Sequence, residues 1–358
     1  MTKIVLEKFK RAVNKSIKGA GFNKLIPLTS MIGISQKDNK LKLITTDMVN
    51  TLEVIIPVED SEEFNIAVDA DKFGKLISKL TSGDVELSID DNVLIVKSNG
   101  TYKLPIIADE EGNVSVPEIE PIKGEETTVS KVGITLAYNI SRNALAQTLE
   151  QPSLTGYYVE PNRIVTSDGL VITFNEANMF GDDVTRLISP QMMNILTLFD
   201  EAEIKVVFSK RGAIQFFTDT MAVSGAQLEG LADYPIEAIS GYLDEVFTSS
   251  CKISKEYMLS ILDRLALFIE PYDKNGAYFT FEADGIQIHS KKDGSTEEIR
   301  YIESNKFKEF TCLVDIPLFK SQLVSIPDDS VELCYGNDTA IMIKSGKITQ
   351  IVALLEDE

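Results

Sequence analysis

Gly83-Asp84-Val85-Glu86-Leu87-Ser88-Ile89, Ala202-Glu203-Ile204-Lys205-Val206-Val207-Phe208 and Asp329-Ser330-Val331-Glu332-Leu333-Cys334-Tyr335 are three versions of one strand. Apolar and polar side chains alternate in each, the period of a strand with one buried face. Each runs into a turn, at Asn92, Gly212 and Asn337-Asp338, and an alternating strand follows at 93–96, 213–216 and 339–343. The pattern predicts three hairpins. Each is also preceded by an apolar helix with a polar start, at Asp69, Ser189-Pro190 and Asp315-Ile316-Pro317. Asp and Ser accept hydrogen bonds from first-turn amides, and Pro fits the first helical position.

Three more turns with alternating strands lie between these: Asn39 before 40–44, Asn162 before 163–165, and Asp284-Gly285 before 286–288. The six turns are separated by alternating steps of about 50 and about 70 residues, a repeat of about 122. Helices are expected near 4–19, 141–150 and 254–268 in the odd half-units, alongside those starting at 69, 189 and 315. The fold class is therefore α+β: three repeated domains, each of two helices packed on antiparallel sheets. A linker of mixed Glu, Gly, Pro and Thr at 108–131 and a less sharp one at 240–248 place the domains at 1–124, 125–245 and 246–358.

Composition excludes much chemistry. The 358 residues are 44% hydrophobic, ordinary for a soluble globular chain. No apolar run reaches the ~20 residues of a membrane helix. Glu7, Lys8, Lys10 and Arg11 rule out a signal peptide, so a cytoplasmic protein is expected. Cys251, Cys312 and Cys334 are scattered, without CxxC spacing, and read as core or strand residues. His289 is the single histidine, on an alternating strand, which leaves no basis for a His-rich metal site. No GxxxxGK[ST] loop occurs, and Gly19-Ala20-Gly21 reads as a helix C-cap. Asp109-Glu110-Glu111 and Asp182-Asp183 read as solvated loops. No cofactor, no metal and no enzymatic activity are expected.

The charge pattern points elsewhere. Net charge is −20, which alone argues against nucleic acid. Yet residues 3–18 hold Lys3, Lys8, Lys10, Arg11, Lys15 and Lys18 against one acid, Glu7, and residues 72–79 hold Lys72, Lys75 and Lys79 with none. On the first helix Val5, Leu6, Phe9, Ala12, Val13 and Ile17 form an apolar stripe, with Lys8, Arg11, Lys15 and Lys18 opposite. On the second, Phe73, Leu76, Ile77 and Leu80 oppose Lys72, Lys75 and Lys79. A solvated face normally mixes signs, so one-signed stripes in an acidic chain point to a polyanion. Without an aromatic or amide pattern for base readout, contacts would be to phosphates and sequence-independent.

The sequence resembles the β subunit of bacterial DNA polymerase III, the sliding clamp. The resemblance is carried by Phe9 to Leu28 with Lys24-Leu25-Ile26-Pro27-Leu28, by Leu43-Ile44-Thr45-Thr46-Asp47, and by Leu154-Thr155-Gly156. It continues in Val165-Thr166-Ser167-Asp168-Gly169 and Leu228-Glu229-Gly230-Leu231-Ala232-Asp233-Tyr234. It implies a head-to-tail homodimeric ring with helices lining the hole. Physics supports two copies. Helices about 9 Å apart give six helices a ring of diameter ~17 Å, and twelve a ring of ~34 Å. Duplex DNA is roughly 20 Å across, with grooves ~12 and ~6 Å wide, so one chain is too small.

The resemblance implies double-stranded DNA, a polymerase and a clamp loader as partners. Lys8, Arg11, Lys15, Lys18, Lys72, Lys75 and Lys79 would line the hole, with Lys24 on a nearby loop. It further implies a partner-peptide groove between the second and third domains. That groove would be formed by Leu154, Ser167, Gly169, Leu170, Val171, Ile172, Ala232, Ile236, Leu318 and Ile341, with Leu354 and Leu355 from the tail. Ile172 and Ile341 also read as core. Two departures mark a divergent member, and a virus-encoded clamp would fit them. Leu170-Val171 stand where relatives carry His-Arg, and the tail ends Leu354-Leu355-Glu356-Asp357-Glu358 rather than in a Met-Pro-x-Arg-Leu-like segment. Loss of the Arg and the acidic tail predict a preference for peptides with basic flanks. The alternatives are an acidic structural or decoy protein reusing the fold and, more remotely, a metal-dependent nuclease.

Overall fold

Asp38 and Asn39 both take positive φ, 51° and 59°, as a two-residue hairpin turn requires. They join strand Met31–Lys37 to strand Lys40–Thr46, in register at Lys37↔Lys40. Strands also follow the other expected turns, at Val93–Lys97, Ile164–Ser167, Ala213–Phe217, Gly285–Ser290 and Ala340–Ser345. This computed structural model describes the chain except Met1, Lys24, Asp60, Ser61, Ser82, residues 109–113, Ser115, Asp182, Lys210 and residues 269–275, 292–293 and 357–358. The loop cluster at 109–111 and Lys24 therefore lie outside the described residues, as does Asp182.

The helices are α1 (Leu6–Ser16), α2 (Ala70–Lys79), α3 (Lys131–Ser141), α4 (Pro190–Leu196), α5 (Ile236–Gly241), α6 (Lys255–Leu265) and α7 (Ile316–Ser325). Asp69 caps α2 by accepting from the Lys72 amide at 2.7 Å, and Asp315 caps α7 by accepting from the Leu318 amide at 2.8 Å. One expectation fails: the helix placed at 141–150 is α3, which ends at Ser141. Its Val132, Gly133, Ile134, Thr135 and Ile140 are weak helix formers. Packing decides instead, with Ile134, Ala137 and Ile140 on one buried stripe. The short α5 runs into the expected linker at 240–248, and a 3₁₀ turn at Tyr242–Asp244 continues it.

Backbone contacts divide the chain into two units, Met1–Val132 with Gln191–Gln227, and Gly133–Pro190 with Leu228–Glu358. The first unit holds an eight-stranded antiparallel sheet. Its order is Phe64–Asp69, Met31–Lys37, Lys40–Thr46, Thr51–Pro57, Met221–Ala226, Ala213–Phe217, Glu203–Phe208, Glu126–Ser130. The join between early and late segments is Thr51–Pro57 against Met221–Ala226, with Val54 opposite Met221. A four-stranded sheet of Thr2–Val5, Asp84–Asp90, Val93–Lys97 and Thr101–Pro105 completes the unit.

The second unit repeats the construction. Its nine-stranded sheet is joined at Val171–Asn175 against Ile348–Ala353, with Val171 opposite Val352. Its four-stranded sheet runs Thr296–Arg300, Gly285–Ser290, Gly276–Phe281, Phe310–Asp315. Because side chains alternate along a strand, the large sheet divides its apolar residues between two cores. Val171, Ile341, Ile343 and Val352 join Met258, Phe279 and Phe319, whereas Ile172, Met342 and Ile351 join Leu154, Tyr158 and Tyr234.

Cys251, Cys312 and Cys334 are free and buried in strands. Burial raises the Cys312 thiol to about 12 and the Cys334 thiol to about 11. His289 sits half-buried on its strand, stacked on Tyr278 at 5.1 Å. Among the described residues no helix is long and apolar enough to cross a membrane.

In the first unit α1 and α2 pack together through Phe9 and Phe73, both fully buried and edge-on at 5.9 Å. Removing a buried ring costs about 3–5 kcal/mol. Phe73→Ala is therefore expected to lower the unfolding free energy by that much, read from urea unfolding followed by circular dichroism. A change below 1 kcal/mol, on the same scale, would mean the helix pair is not a packed core.

Candidate functional site

The helix pair fixes where the basic residues point. On α1, Leu6, Phe9, Ala12, Val13 and Ser16 are buried. Val5, expected in that stripe, is exposed because it ends strand Thr2–Val5 rather than belonging to the helix. Ile17 packs against α2 at Gly74, where an added β-carbon would lie 1.9 Å from Ile17 Cδ1. With that face committed, Lys8, Arg11 and Lys18 are exposed on α1, and Lys72, Lys75 and Lys79 on α2.

Two of the predicted cations are engaged. The Lys15 side chain is only 15% exposed and bonds Asp200 at 2.7 Å. Lys75 bonds Asp71 at 2.6 Å, one turn earlier on its own helix. Lys8, Arg11, Lys18, Lys72 and Lys79 make no ion pair among the described residues. Lys8, Arg11 and Lys15 also line a cavity of about 420 Å³ with Ile55, Pro57 and Asp200. Elsewhere the helices offer little free positive charge. Val132 and Leu136 of α3 and Val324 of α7 are exposed apolar residues. On α6, Arg264 is held bidentately by Glu297 at 2.6 and 2.9 Å, and Asp263 by Lys320 of α7.

The expected groove residues all lie in the second unit, but they do not form one lining. Val171 and Ile341 are fully buried in one core; they are not surface residues, and the missing Arg at 171 therefore leaves no gap at a peptide mouth. Ile172 faces the opposite core with Leu154, and Ile236 packs there partly buried. Leu318 and Leu354 lean on the Val171 core. Leu355 pairs with Leu313, its amide donating to the Leu313 carbonyl at 2.9 Å. Ser167 is buried, while Gly169, Leu170 and Ala232 are exposed.

Leu170 is the apolar side chain this region offers most openly, 60% exposed. Asp168 Oδ1 holds it there by accepting from the Leu170 and Val171 amides at 2.9 and 2.7 Å. The tail is tied to the same turn: the Ala353 amide donates to the Leu170 carbonyl at 2.9 Å, and the Leu354 amide to the Thr339 carbonyl at 2.8 Å. Arg142 was not foreseen. It lies over Tyr138, 5.5 Å from the ring centroid, beside a cavity of about 560 Å³ lined by Leu145, Leu149, Thr155 and Tyr157. Correct placement of α3 would have marked it, since it directly follows that helix. Among the described residues no group of three or more His, Cys, Asp or Glu side chains is placed to hold a metal ion.

Residues 3–114 match the protein family described as "DNA polymerase III beta subunit, N-terminal domain". A comparison with curated proteins finds no match. Among solved structures, a DNA polymerase sliding clamp from Bacillus subtilis aligns with a TM-score of 0.85 at 16% identity, covering 100% of this chain and 99% of that one. The chain has the sliding-clamp fold. The β subunit of DNA polymerase III from Thermotoga maritima aligns at TM-score 0.84 and 16% identity, over 100% of this chain and 99% of that one. The corresponding protein of Streptococcus pneumoniae gives 0.85 and 15%, over 100% of both. The likeness is one of sequence in the first 114 residues and one of fold throughout.

The engaged and free lysines should behave differently. Lys15→Glu places a second carboxylate beside Asp200 and is expected to destabilise the protein by about 1 kcal/mol or more, whereas Lys8→Glu stays within ~0.5 kcal/mol of wild type. Thermal melts of the two variants check this, and equal melting temperatures would show that the Lys15–Asp200 pair does not exist in solution.

Proposed function

We propose that this chain works as a DNA sliding clamp: two copies form a head-to-tail ring around duplex DNA, hold it without sequence preference, and tether a polymerase. It is a non-enzymatic processivity factor, positioned on DNA by a loader. The three domains are 1–124, 125–245 and 246–358, and α1 with α2, α3 with α4, and α6 with α7 would line the hole, α5 being an additional short helix of the second domain.

One observation carries the ring. The large sheets are joined twice in the same way, at Thr51–Pro57 with Met221–Ala226 and at Val171–Asn175 with Ile348–Ala353. Shifted by the repeat of about 122 residues, the third equivalent pair is Thr296–Arg300 with Thr101–Pro105. Both strands end their sheets: Thr101–Pro105 pairs only with Val93–Lys97 and Thr296–Arg300 only with Gly285–Ser290 among the described residues, so the outer side of each is open. Open edges seek a second chain, and a heterologous contact closes when the rotation allows. Residues 101–105 carry Lys103 alone, and 296–300 carry Glu297, Glu298 and Arg300, so the two edges bear small net charges of opposite sign, with Glu297 already engaged by Arg264.

Lys8, Arg11, Lys18, Lys72 and Lys79 supply the phosphate contacts, with Lys24 added by its place in the sequence alone; Lys15 and Lys75 are secondary because Asp200 and Asp71 engage them. Leu170, with Ile236, Ala232 and the tail residues Leu354 and Leu355, forms the apolar docking surface for short partner segments. The basic helix pair within a chain of charge −20 favours this reading over a structural or decoy use of the fold.

Light scattering at micromolar concentration and physiological salt is expected to give twice the chain mass of 39.6 kDa. The triple variant Lys8→Glu, Arg11→Glu, Lys72→Glu is expected to keep that mass. It should lose the weak, steeply salt-dependent duplex binding of the wild type in fluorescence anisotropy. A single-chain mass would remove the ring, and unchanged duplex binding by the variant would remove the basic face.

A further inference from the structure

The turn that presents Leu170 is built twice in this chain. In the second repeat, Asp168 Oδ1 receives the Leu170 and Val171 amides at 2.9 and 2.7 Å. The Asp168 amide donates to the Val171 carbonyl at 3.2 Å, and the Gly169 amide to Ser167 Oγ at 3.1 Å. In the first repeat, Asp47 Oδ1 receives the Val49 and Asn50 amides at 2.9 and 2.6 Å. The Asp47 amide donates to the Asn50 carbonyl at 3.1 Å, and the Met48 amide to Thr46 Oγ1 at 3.0 Å. The preceding residues match too: the Thr166 hydroxyl donates to the Ser141 carbonyl, and the Thr45 hydroxyl to the Ser16 carbonyl. The adjoining loops each carry one short 3₁₀ turn, Pro152–Thr155 and Pro27–Ser30. They are closed alike, by Ala146 to Leu154 and Phe22 to Thr29 backbone bonds of 3.1 Å each.

One position differs in kind. Gly169 takes φ +91°, and its counterpart Met48 takes φ 78°, a left-handed conformation that suits glycine and strains a residue with a β-carbon. The Met48 side chain is 57% exposed, so it does not repay that strain by filling the core. Val49, the counterpart of Leu170, is 53% exposed, and Leu25 on the adjoining loop is 90% exposed. Phe22 and Ile26 are exposed on the same loop. The Gly21 amide pins the loop to the turn by donating to the Thr46 carbonyl at 3.2 Å. Strain kept in order to show an apolar side chain to water is a signature of a working surface.

We propose that Phe22, Leu25, Ile26, Met48 and Val49 form a second docking site, for a short apolar partner segment with acidic flanks. The proposal rests on reading the Leu170 turn as a docking surface. Charge selects the occupant. From Asn14 to Met31 the sequence holds three lysines and no acid; Lys15 is taken by Asp200, and Lys18 is exposed and available to an acidic flank. The acid of the turn itself, Asp47, has one carboxylate oxygen taken by two amides and the other by Asn50 Nδ2 at 3.0 Å. The tail strand tied to the Leu170 carbonyl by the Ala353 amide instead carries the exposed Glu356 three residues further on. The two sites thus sort segments with similar anchors by the sign of their flanks.

Two fluorescein-labelled nonapeptides test this, sharing Leu and Phe anchors and ending in Asp-Asp or Lys-Lys, titrated against the full-length protein by anisotropy. Met48→Gly is expected to weaken the Asp-ended peptide about tenfold or more while leaving the melting temperature unchanged or higher, because glycine relieves the left-handed φ. Leu170→Asp is expected to spare the Asp-ended peptide. Retained binding of the Asp-ended peptide by Met48→Gly overturns the second site. So does its loss in Leu170→Asp alone, a result that leaves the Leu170 surface standing. If Leu170→Asp changes neither peptide, the Leu170 reading fails, while the Met48→Gly titration still decides the patch. Loss of self-association in Met48→Gly without loss of peptide would assign the patch to a second copy of the chain and end the proposal.

Discussion

Phe9 meets Phe73 edge-on, and Gly74 admits Ile17 into the same contact, because a β-carbon there would overlap Ile17. This clasp orients the two most basic helices of an acidic chain. Once their apolar stripes are committed to each other and to the sheet beneath, Lys8, Arg11, Lys18, Lys72 and Lys79 have only the free face left. The helix–helix contact is thus upstream of the electrostatics: the charge pattern acquires a direction only through the packing.

The rest of the architecture follows from repetition. A half-unit of helix and strands leaves sheet edges unpaired, and unpaired edges in water are a liability. Within the chain this is met twice, by joining the sheet of one repeat to that of the next at Val54 opposite Met221 and at Val171 opposite Val352. A third join of the same kind needs residues the chain cannot supply to itself if six helices make too small a ring. Assembly and function are therefore parts of one geometric argument.

Much of this was legible in the sequence, and the parts that were not share a cause. Turn residues such as Asp38-Asn39 and caps such as Asp69 and Asp315 act over a few residues, so local chemistry announces them. The alternating strands were legible for the same reason. α3 was misplaced because Val132, Gly133 and Ile134 look unlike a helix, and only the core around Ile134 and Ile140 makes them one. The Lys15–Asp200 pair joins residues far apart in the chain, so no window of sequence could show that Lys15 is engaged. The groove was drawn one residue at a time along Gly169-Leu170-Val171-Ile172, and a strand sends alternate side chains to opposite faces. Val171 and Ile172 therefore went to two cores, and Leu170, held at the turn, was left on the surface.

What remains of the site is simpler than the list that the resemblance implied: a basic face on one helix pair, and an apolar turn stapled by an aspartate, present in two copies with different flank charge. The central claim is topological encirclement of duplex DNA. The most direct measurement is gel filtration of the clamp with a singly nicked plasmid in the presence of its loader, before and after a restriction enzyme linearises the DNA. The account predicts co-elution with the circle and release from the linear form, because a ring slides off an end. Equal retention on both, or retention on neither, would contradict it.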